Sequence, residues 1–359
     1  MSLPEAVAPV REPGGQFLAE IREQPFALGA LLENEREFAK VAAEARRRGA
    51  TTVRLVGHGS SDNAAAYGVY AFGLQPRWTA MRDSITLTVH YRSELDLSTS
   101  TVIGLSQSGR TPDVVAYVEC AREEGAFTVA LTNDPGSELA GVAEAVLPLA
   151  AGPENAVAAT KTYSNQVAAL ALLAAHAAGT GPRMADQLRV VAGQLSDLVP
   201  PLERRIAEVA MAFAYIGRMF VVGRGVEFST AREIALKLLE TCKIAAEPLT
   251  ATALAHGPVA ALDTLFPVWT IASRDGTLPA ALEAAARVRE AGATLVASGT
   301  AADAVEGADY VLAVPEPPDP LLSPLLSVVP GQLFAWAVAH AKGLDPDRPA
   351  RLSKVTFAR

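Results

Sequence analysis

The stretch TVRLVGHGSSDNAAAYGVYAF, residues 52–72, decides the fold. It opens on a short apolar run, turns through Gly57-His58-Gly59 and continues with the alanine-rich spacing of a helix. A strand that ends in Gly-x-Gly and feeds a helix is half of a βαβ unit. RMFVVGRGVEFSTAREIALKL, residues 218–238, has the same design, with Gly223 and Gly225 opposite Gly57 and Gly59. Farther along, AREEGAFTVALTN (121–133) is echoed by VREAGATLVASGT (288–300) at the same offset to within one residue. Two separated segments that agree on one offset point to a duplication.

Each half alternates β-branched runs with amphipathic helices. The runs are TVRLVG, TVIGLS, FTVALT and AVLPL in the first half, and MFVVG, VWTIAS, TLVAS and YVLAV in the second. This alternation predicts an α/β fold of two doubly wound parallel sheets, each with helices on both faces in three αβα layers. The proline pair in SDLVPPLERRI places the boundary near Pro200. The expected units are residues 36–198 and 199–345, preceded by a helical segment over 1–35 and followed by a proline-broken polar tail over 346–359.

Bulk properties exclude several classes. The chain has 359 residues, half of them hydrophobic, and a formal charge of −8. No clustered basic face marks a nucleic-acid partner. The run VAALALLAAHAAG (167–179) falls short of the roughly 20 residues that cross a bilayer, so it reads as a buried helix. The opening MSLPEAVAPVREPGG has no apolar leader, and a cytoplasmic protein is expected. Cys120 and Cys242 read as buried thiols rather than a disulfide. No metal-ligand spacing and no cofactor motif stands out.

Where the third apolar run ends, GLSQSGRTPD (104–113) sets Ser106, Gln107, Ser108 and Thr111 around Gly109. Pro112 suits the first turn of a helix. Free amides and the positive end of the helix dipole then face the loop, an anion site that fits a phosphate. A serine N-cap alone accounts for one hydroxyl, not for three with Gln107. The matching stretch of the second half is ASRDGTLPA (272–280), in which Asp275 replaces Ser108 and Leu278 replaces Thr111. A carboxylate there repels phosphate, so one phosphate site per chain is expected.

After the second Gly-x-Gly, Glu233, Lys237 and Glu240 fall at i, i+4 and i+7 on one helix face. Such a row serves either as a solvated ion-pair ladder or as a proton-transfer group. His256, in LAHGP, sits on a loop, as a structural histidine or as part of the same chemistry.

In combination and order, GHGSSDNA, SQSGRTPD, AGPENAVAATKTYSNQ, GRGVEFSTAREIALKLLE, EPLTATALAHGP and LSKVT resemble the isomerase half of glutamine–fructose-6-phosphate aminotransferase (glucosamine-6-phosphate synthase). That half consists of two sugar isomerase (SIS) domains. EIREQP (20–25) resembles the segment that opens it, so the likeness runs from about Phe17 to the C-terminus. The resemblance implies that Ser106, Gln107, Ser108 and Thr111 hold a 6-phosphate. Gly59, Ser60 and Ser61 would line the sugar, and Val157 would touch it through its backbone. Glu240 would move a proton between C1 and C2, with Lys237 tuning it. Lys354 would meet the open-chain carbonyl. His256 would help open the ring, from the neighbouring subunit in the family, which implies a homodimer.

The chain departs from the synthase at several points. No glutaminase segment precedes the SIS pair, and Ser2 follows Met1. Arg110 stands in place of an acid, Ala159 in place of a serine, and LTATALAHGP lacks the acid and lysine of the synthase loop. The expectation is an amino-sugar-phosphate isomerase and deaminase acting on hexose or hexosamine 6-phosphates. The alternatives are a fructosamine-6-phosphate deglycase, a non-catalytic sugar-phosphate sensor, and a subunit fed ammonia by a separate glutaminase.

Overall fold

The two Gly-x-Gly turns are built alike. A Cβ on Gly57 would stand 2.9 Å from the Ser61 Cβ, and one on Gly223 would stand 2.4 Å from the Glu227 carbonyl oxygen, so each strand end lies against the helix that follows. Gly59 and Gly225 take φ of +56° and +60°, the left-handed region that favours glycine. The computed structural model that shows this describes residues 12–354. Residues 1–11, at the start of the expected N-terminal helical segment, and 355–359, at the end of the tail, lie outside the described residues.

Helices α1 (Gly15–Arg22), α2 (Gln24–Leu32) and α3 (Glu35–Arg47) come first. The first repeat runs β1 (Thr52–Val56), α4 (Ser60–Leu74), β2 (Thr79–Arg82), α5 (Ile85–Val89), β3 (Ser100–Ser106), α6 (Pro112–Glu123), β4 (Phe127–Thr132), α7 (Glu138–Val142), β5 (Ala145–Pro148) and α8 (Lys161–Ala178). After α9 (Gly181–Ala210), the second runs β6 (Arg218–Gly223), α10 (Glu227–Cys242), β7 (Ala245–Thr250), α11 (Ala251–Ala255), β8 (Val268–Ile271), α12 (Leu278–Glu290), β9 (Leu295–Gly299), β10 (Tyr310–Ala313) and α13 (Ser323–Ala341).

The strands form two parallel five-stranded sheets, ordered β2-β1-β3-β4-β5 and β10-β9-β8-β6-β7. Read from its other edge, the second order repeats the first. The duplication therefore extends to topology. Each sheet reverses direction between its first and third strands, and ligands gather at the carboxyl ends of strands beside such a switch point.

The sequence runs correspond to eight of these strands; β2 and β7 are not among them. Both are edge strands at equivalent places. β7 reads AAEPLT, with Pro248 and Glu247, and β2 reads TAMR. Neither strand is buried along its length, so neither needs an unbroken apolar run, and an edge tolerates the proline of β7.

The proline pair lies within the helix that links the two repeats. Pro200 and Pro201 lie inside α9, which runs unbroken from Gly181 to Ala210. Leu195, Leu198, Val199, Leu202 and Ile206 bury one face of that helix, and this packing outweighs two missing N–H donors. Helices α8 and α13 form the deepest layer. α13 is long and apolar enough to cross a membrane by length and composition, yet 94% of that window is buried inside the protein. Its Phe334 ring meets Trp269 of β8 edge-on at 5.0 Å.

Candidate active site

Both halves contribute to one cleft because the two Gly-x-Gly helices cross. On α10, Glu233 is fully buried and accepts hydrogen bonds from Ser60 Oγ (2.9 Å) and Asn63 Nδ2 (2.8 Å) of α4. Arg232 donates to Asn63 Oδ1 (2.9 Å) and Asp62 Oδ2 (2.6 Å). These bonds fix the second half's helix over the carboxyl end of the first sheet.

Beneath the crossing lies a cavity of about 380 Å³. The β1–α4 turn lines it with His58, Gly59, Ser60 and Ser61, and the β3–α6 loop with Ser106, Gln107, Ser108, Thr111 and Asp113. Val157 and Ala159 come from the loop before α8, Glu240 from α10, and Leu352, Ser353 and Lys354 from the C-terminal segment. Of the residues expected at the site, Glu233 and Lys237 are buried on α10 and do not line this space, and His256 is exposed at the end of α11 and does not line it either; the others do.

The β3–α6 loop is held by its own hydrogen bonds. Ser106 Oγ shares a hydrogen bond with Thr111 Oγ1 (3.0 Å) and accepts one from the Gly109 amide (3.1 Å). Ser108 Oγ accepts from the Arg110 amide (3.3 Å). Gly109 has φ of +63°, and a Cβ there would stand 1.9 Å from Ser137 Oγ, so no other residue fits. α6 begins at Pro112, as its sequence implies, and points its amino end at the loop. The Arg110 side chain turns away to Asp134 (3.4 Å). Hydroxyls and the amino end of α6 therefore gather at this loop, and the Arg110 guanidinium does not. Replacing Ser108 with aspartate copies the second half and should weaken binding of fructose 6-phosphate at least about tenfold through repulsion at contact range. Calorimetric titration checks this, and unchanged affinity would place the phosphate elsewhere.

In the second half the same place is filled from within. Ser273, the counterpart of Ser106, donates to Glu227 Oε1 (2.6 Å), as does Ser327 (2.9 Å), while Thr230 donates to Oε2 (2.7 Å). Burial raises the Glu227 pKa, and the hydroxyls around it oppose the rise. Asp275 caps its own turn through the Thr277 amide (2.7 Å).

The row on α10 is no solvated ladder. Lys237 is fully buried between Glu240 (2.6 Å) and Glu233 (3.3 Å) and also donates to Ser60 Oγ (3.2 Å). Burial alone would lower its pKa, but the two carboxylates outweigh burial and hold the ammonium charged. Burial likewise raises Glu233, against the pull of Lys237 and Asn63. Glu240 is the member of the row that reaches the cavity.

Opposite, Lys354 Nζ donates to Glu154 Oε2 (2.8 Å) and to the Ala156 carbonyl (2.7 Å). Glu154 is fully buried and also accepts from the amides of Thr160 (2.9 Å) and Thr162 (3.1 Å) and from Thr162 Oγ1 (2.7 Å). Burial pushes its pKa up, but Lys354 and these donors bring it below the ordinary value. Sequence reasoning passed over Glu154, although it stands in a quoted stretch; a carboxylate followed by TKT is its only signal. It also passed over His58 and Asp113, which face the cavity with His58 Nε2 3.8 Å from Asp113 Oδ2.

One cavity is thus lined by a hydroxyl-rich loop, a carboxylate bonded to a buried ammonium, and a second amine. The chain belongs to the SIS domain family, whose model matches residues 48–176 and 213–341. It is 33% identical over 345 residues to the glutamine–fructose-6-phosphate aminotransferase (isomerizing) of Pyrococcus horikoshii, covering 94% of this chain but 57% of that protein. The chain thus spans little more than half the length of that curated relative. Among solved structures, it is similar to a proposed phosphosugar isomerase from Silicibacter pomeroyi DSS-3 (33% identical, TM-score 0.82, 92% of this chain and 99% of that one). The C-terminal domain of glucosamine-fructose-6-phosphate aminotransferase from Francisella tularensis shares the fold (23% identical, TM-score 0.83, 96% and 100%).

Proposed function

We propose that this chain is an amino-sugar-phosphate isomerase and deaminase that converts glucosamine 6-phosphate and water to fructose 6-phosphate and ammonia. One observation carries the reading: the phosphate loop, Glu240 and Lys354 face a single cavity of about 380 Å³. With the 6-phosphate on Ser106, Gln107, Ser108 and Thr111, the sugar extends past Gly59, Ser60, Ser61 and the Val157 backbone toward Glu240 and Lys354. Glu240 takes the proton from C2 and returns it to C1. The double bond shifts through an enolamine, leaving an imine at C2. Water adds there, the C–N bond breaks, and nitrogen leaves as ammonia. Buried Lys237 donates a hydrogen bond to Glu240 Oε2 (2.6 Å) and so orients the carboxylate. His256 serves ring opening from a second copy of the chain, a homodimer being part of this proposal.

The test is release of ammonia from glucosamine 6-phosphate by the purified protein, with fructose 6-phosphate measured in parallel. Both products should appear in equal amounts. Bound sugar phosphate without either product would remove the reaction and leave the binding site.

A second reading, a deglycase of fructosamine 6-phosphates, has one observation in its favour. A further cavity of about 490 Å³ adjoins the first at Glu240 and Leu352, and Lys243 and Arg348 line it. It offers room, and cations, for an amine substituent that carries a carboxylate. Turnover of such a conjugate without turnover of glucosamine 6-phosphate would select this reading.

A further inference from the structure

The N-terminal helix touches the site through a residue that the proposed reaction leaves unused. Glu20 on α1 is 4% exposed. Its Oε1 accepts from the amides of Asn155 and Ala156 (3.2 Å for the latter), and its Oε2 has no hydrogen-bond partner among the described residues. Those two peptides belong to the loop that holds the tail lysine, because the Ala156 carbonyl and Glu154 are the two acceptors of Lys354. The next residue, Val157, donates its amide to the Asp347 carbonyl (3.0 Å). Asp347 in turn accepts from the Phe17 (2.7 Å) and Gln16 (3.2 Å) amides at the start of α1. Helix, loop and C-terminal segment close a ring of hydrogen bonds around the amine.

We infer that Glu20 is a positioning residue that places the Lys354 amine through the Asn155–Ala156 peptides. The inference rests on the reading of Lys354 as a group of the site. Burial pushes the Glu20 carboxyl up to about 7; the Asn155 amide resists and the Glu154 carboxylate adds to the rise. Two charged groups face it: Glu154 from the loop, which repels its ionised form, and Lys354 from the C-terminal segment, which attracts it. Other charges nearby are engaged elsewhere, Asp347 by the α1 amides and Glu23 by Lys161 (2.6 Å). Below about pH 7 Glu20 is neutral and only holds the loop. Above it, a second carboxylate attracts the Lys354 ammonium.

The test labels lysines with acetic anhydride and reads the rate at Lys354 by peptide mass spectrometry, with exposed Lys40 as internal reference. At pH 8, Glu20→Gln should label about threefold faster than the native protein, and at pH 6 at the same rate. Glu20→Ala, which also frees the loop, should label faster at both. Equal rates in the native protein and Glu20→Gln at both pH values would overturn the inference, and this comparison decides even if the alanine variant does not fold. Turnover is the second readout. A 1 Å displacement of a reacting group can cost about a hundredfold, so Glu20→Ala should lose kcat with little change in KM. Lys354→Met separates the two claims. Native turnover in that variant removes Lys354 from the reaction, whereas a labelling shift without any turnover of glucosamine 6-phosphate removes the proposed reaction and leaves the positioning role in place.

Discussion

Glu240→Gln binds fructose 6-phosphate as tightly as the native protein and turns over glucosamine 6-phosphate about 10²- to 10⁴-fold more slowly, the usual contribution of a positioned general base. Glutamine has the same shape and keeps an acceptor for Lys237 at the present 2.6 Å. The phosphate cradle lies on β3–α6 and does not touch the substituted group. Lys237 retains Glu233 at 3.3 Å, so the buried ammonium is not stranded. What disappears is the only basic site that α10 presents to the cavity. Exchange of substrate carbon-bound hydrogen with deuterated solvent should stop together with turnover. Turnover at the native rate, with exchange intact, would take Glu240 out of the mechanism.

The second large effect is on stability. Lys237→Met should destabilise the fold by about 3–5 kcal/mol, the cost of removing one partner from a buried ion pair. The methionine fills the space, so the loss is electrostatic: Glu233, fully buried, keeps Ser60 and Asn63 but no cation. The sign with pH follows. Burial already raises the Glu233 pKa above its unfolded value. Without Lys237 it rises further, so the variant is most stable where Glu233 is protonated and loses stability as pH climbs through the raised pKa. The double variant Lys237→Met/Glu233→Gln should recover most of the loss. Thermal unfolding from pH 5 to 8 checks both statements; a single variant as stable as the native protein at pH 8 would show that the pair is dispensable to the fold.

How much was legible in the sequence depended on how regular the constraint on each residue was. β1, β3, β4 and their counterparts are covered on both faces, and such burial writes β-branched runs that any reader sees. β2 and β7 have one neighbour each and carry no such run. The prolines of α9 signal a break in isolation, and only the burial of Leu198 and Leu202 shows why the helix continues. Within the site, the hydroxyl loop and the α10 row were readable because each is local, a turn in one case and a helical spacing in the other. Glu154 and Glu20 were not. Glu20 bonds to amides 135 and 136 positions away, and Glu154 bonds to a lysine 200 positions away as well as to nearby Thr160 and Thr162; no short-range pattern encodes the distant partners.

The carboxylate buried in the second half acts as a brace. Glu227 takes the hydroxyls of Ser273, Ser327 and Thr230 to itself, so these groups are engaged inside the protein. That brace anchors the helix whose far end carries Glu240. A solute anion placed among those hydroxyls would compete with the protein's own side chain, so the two repeats, alike in topology, differ in what their hydroxyls are free to meet.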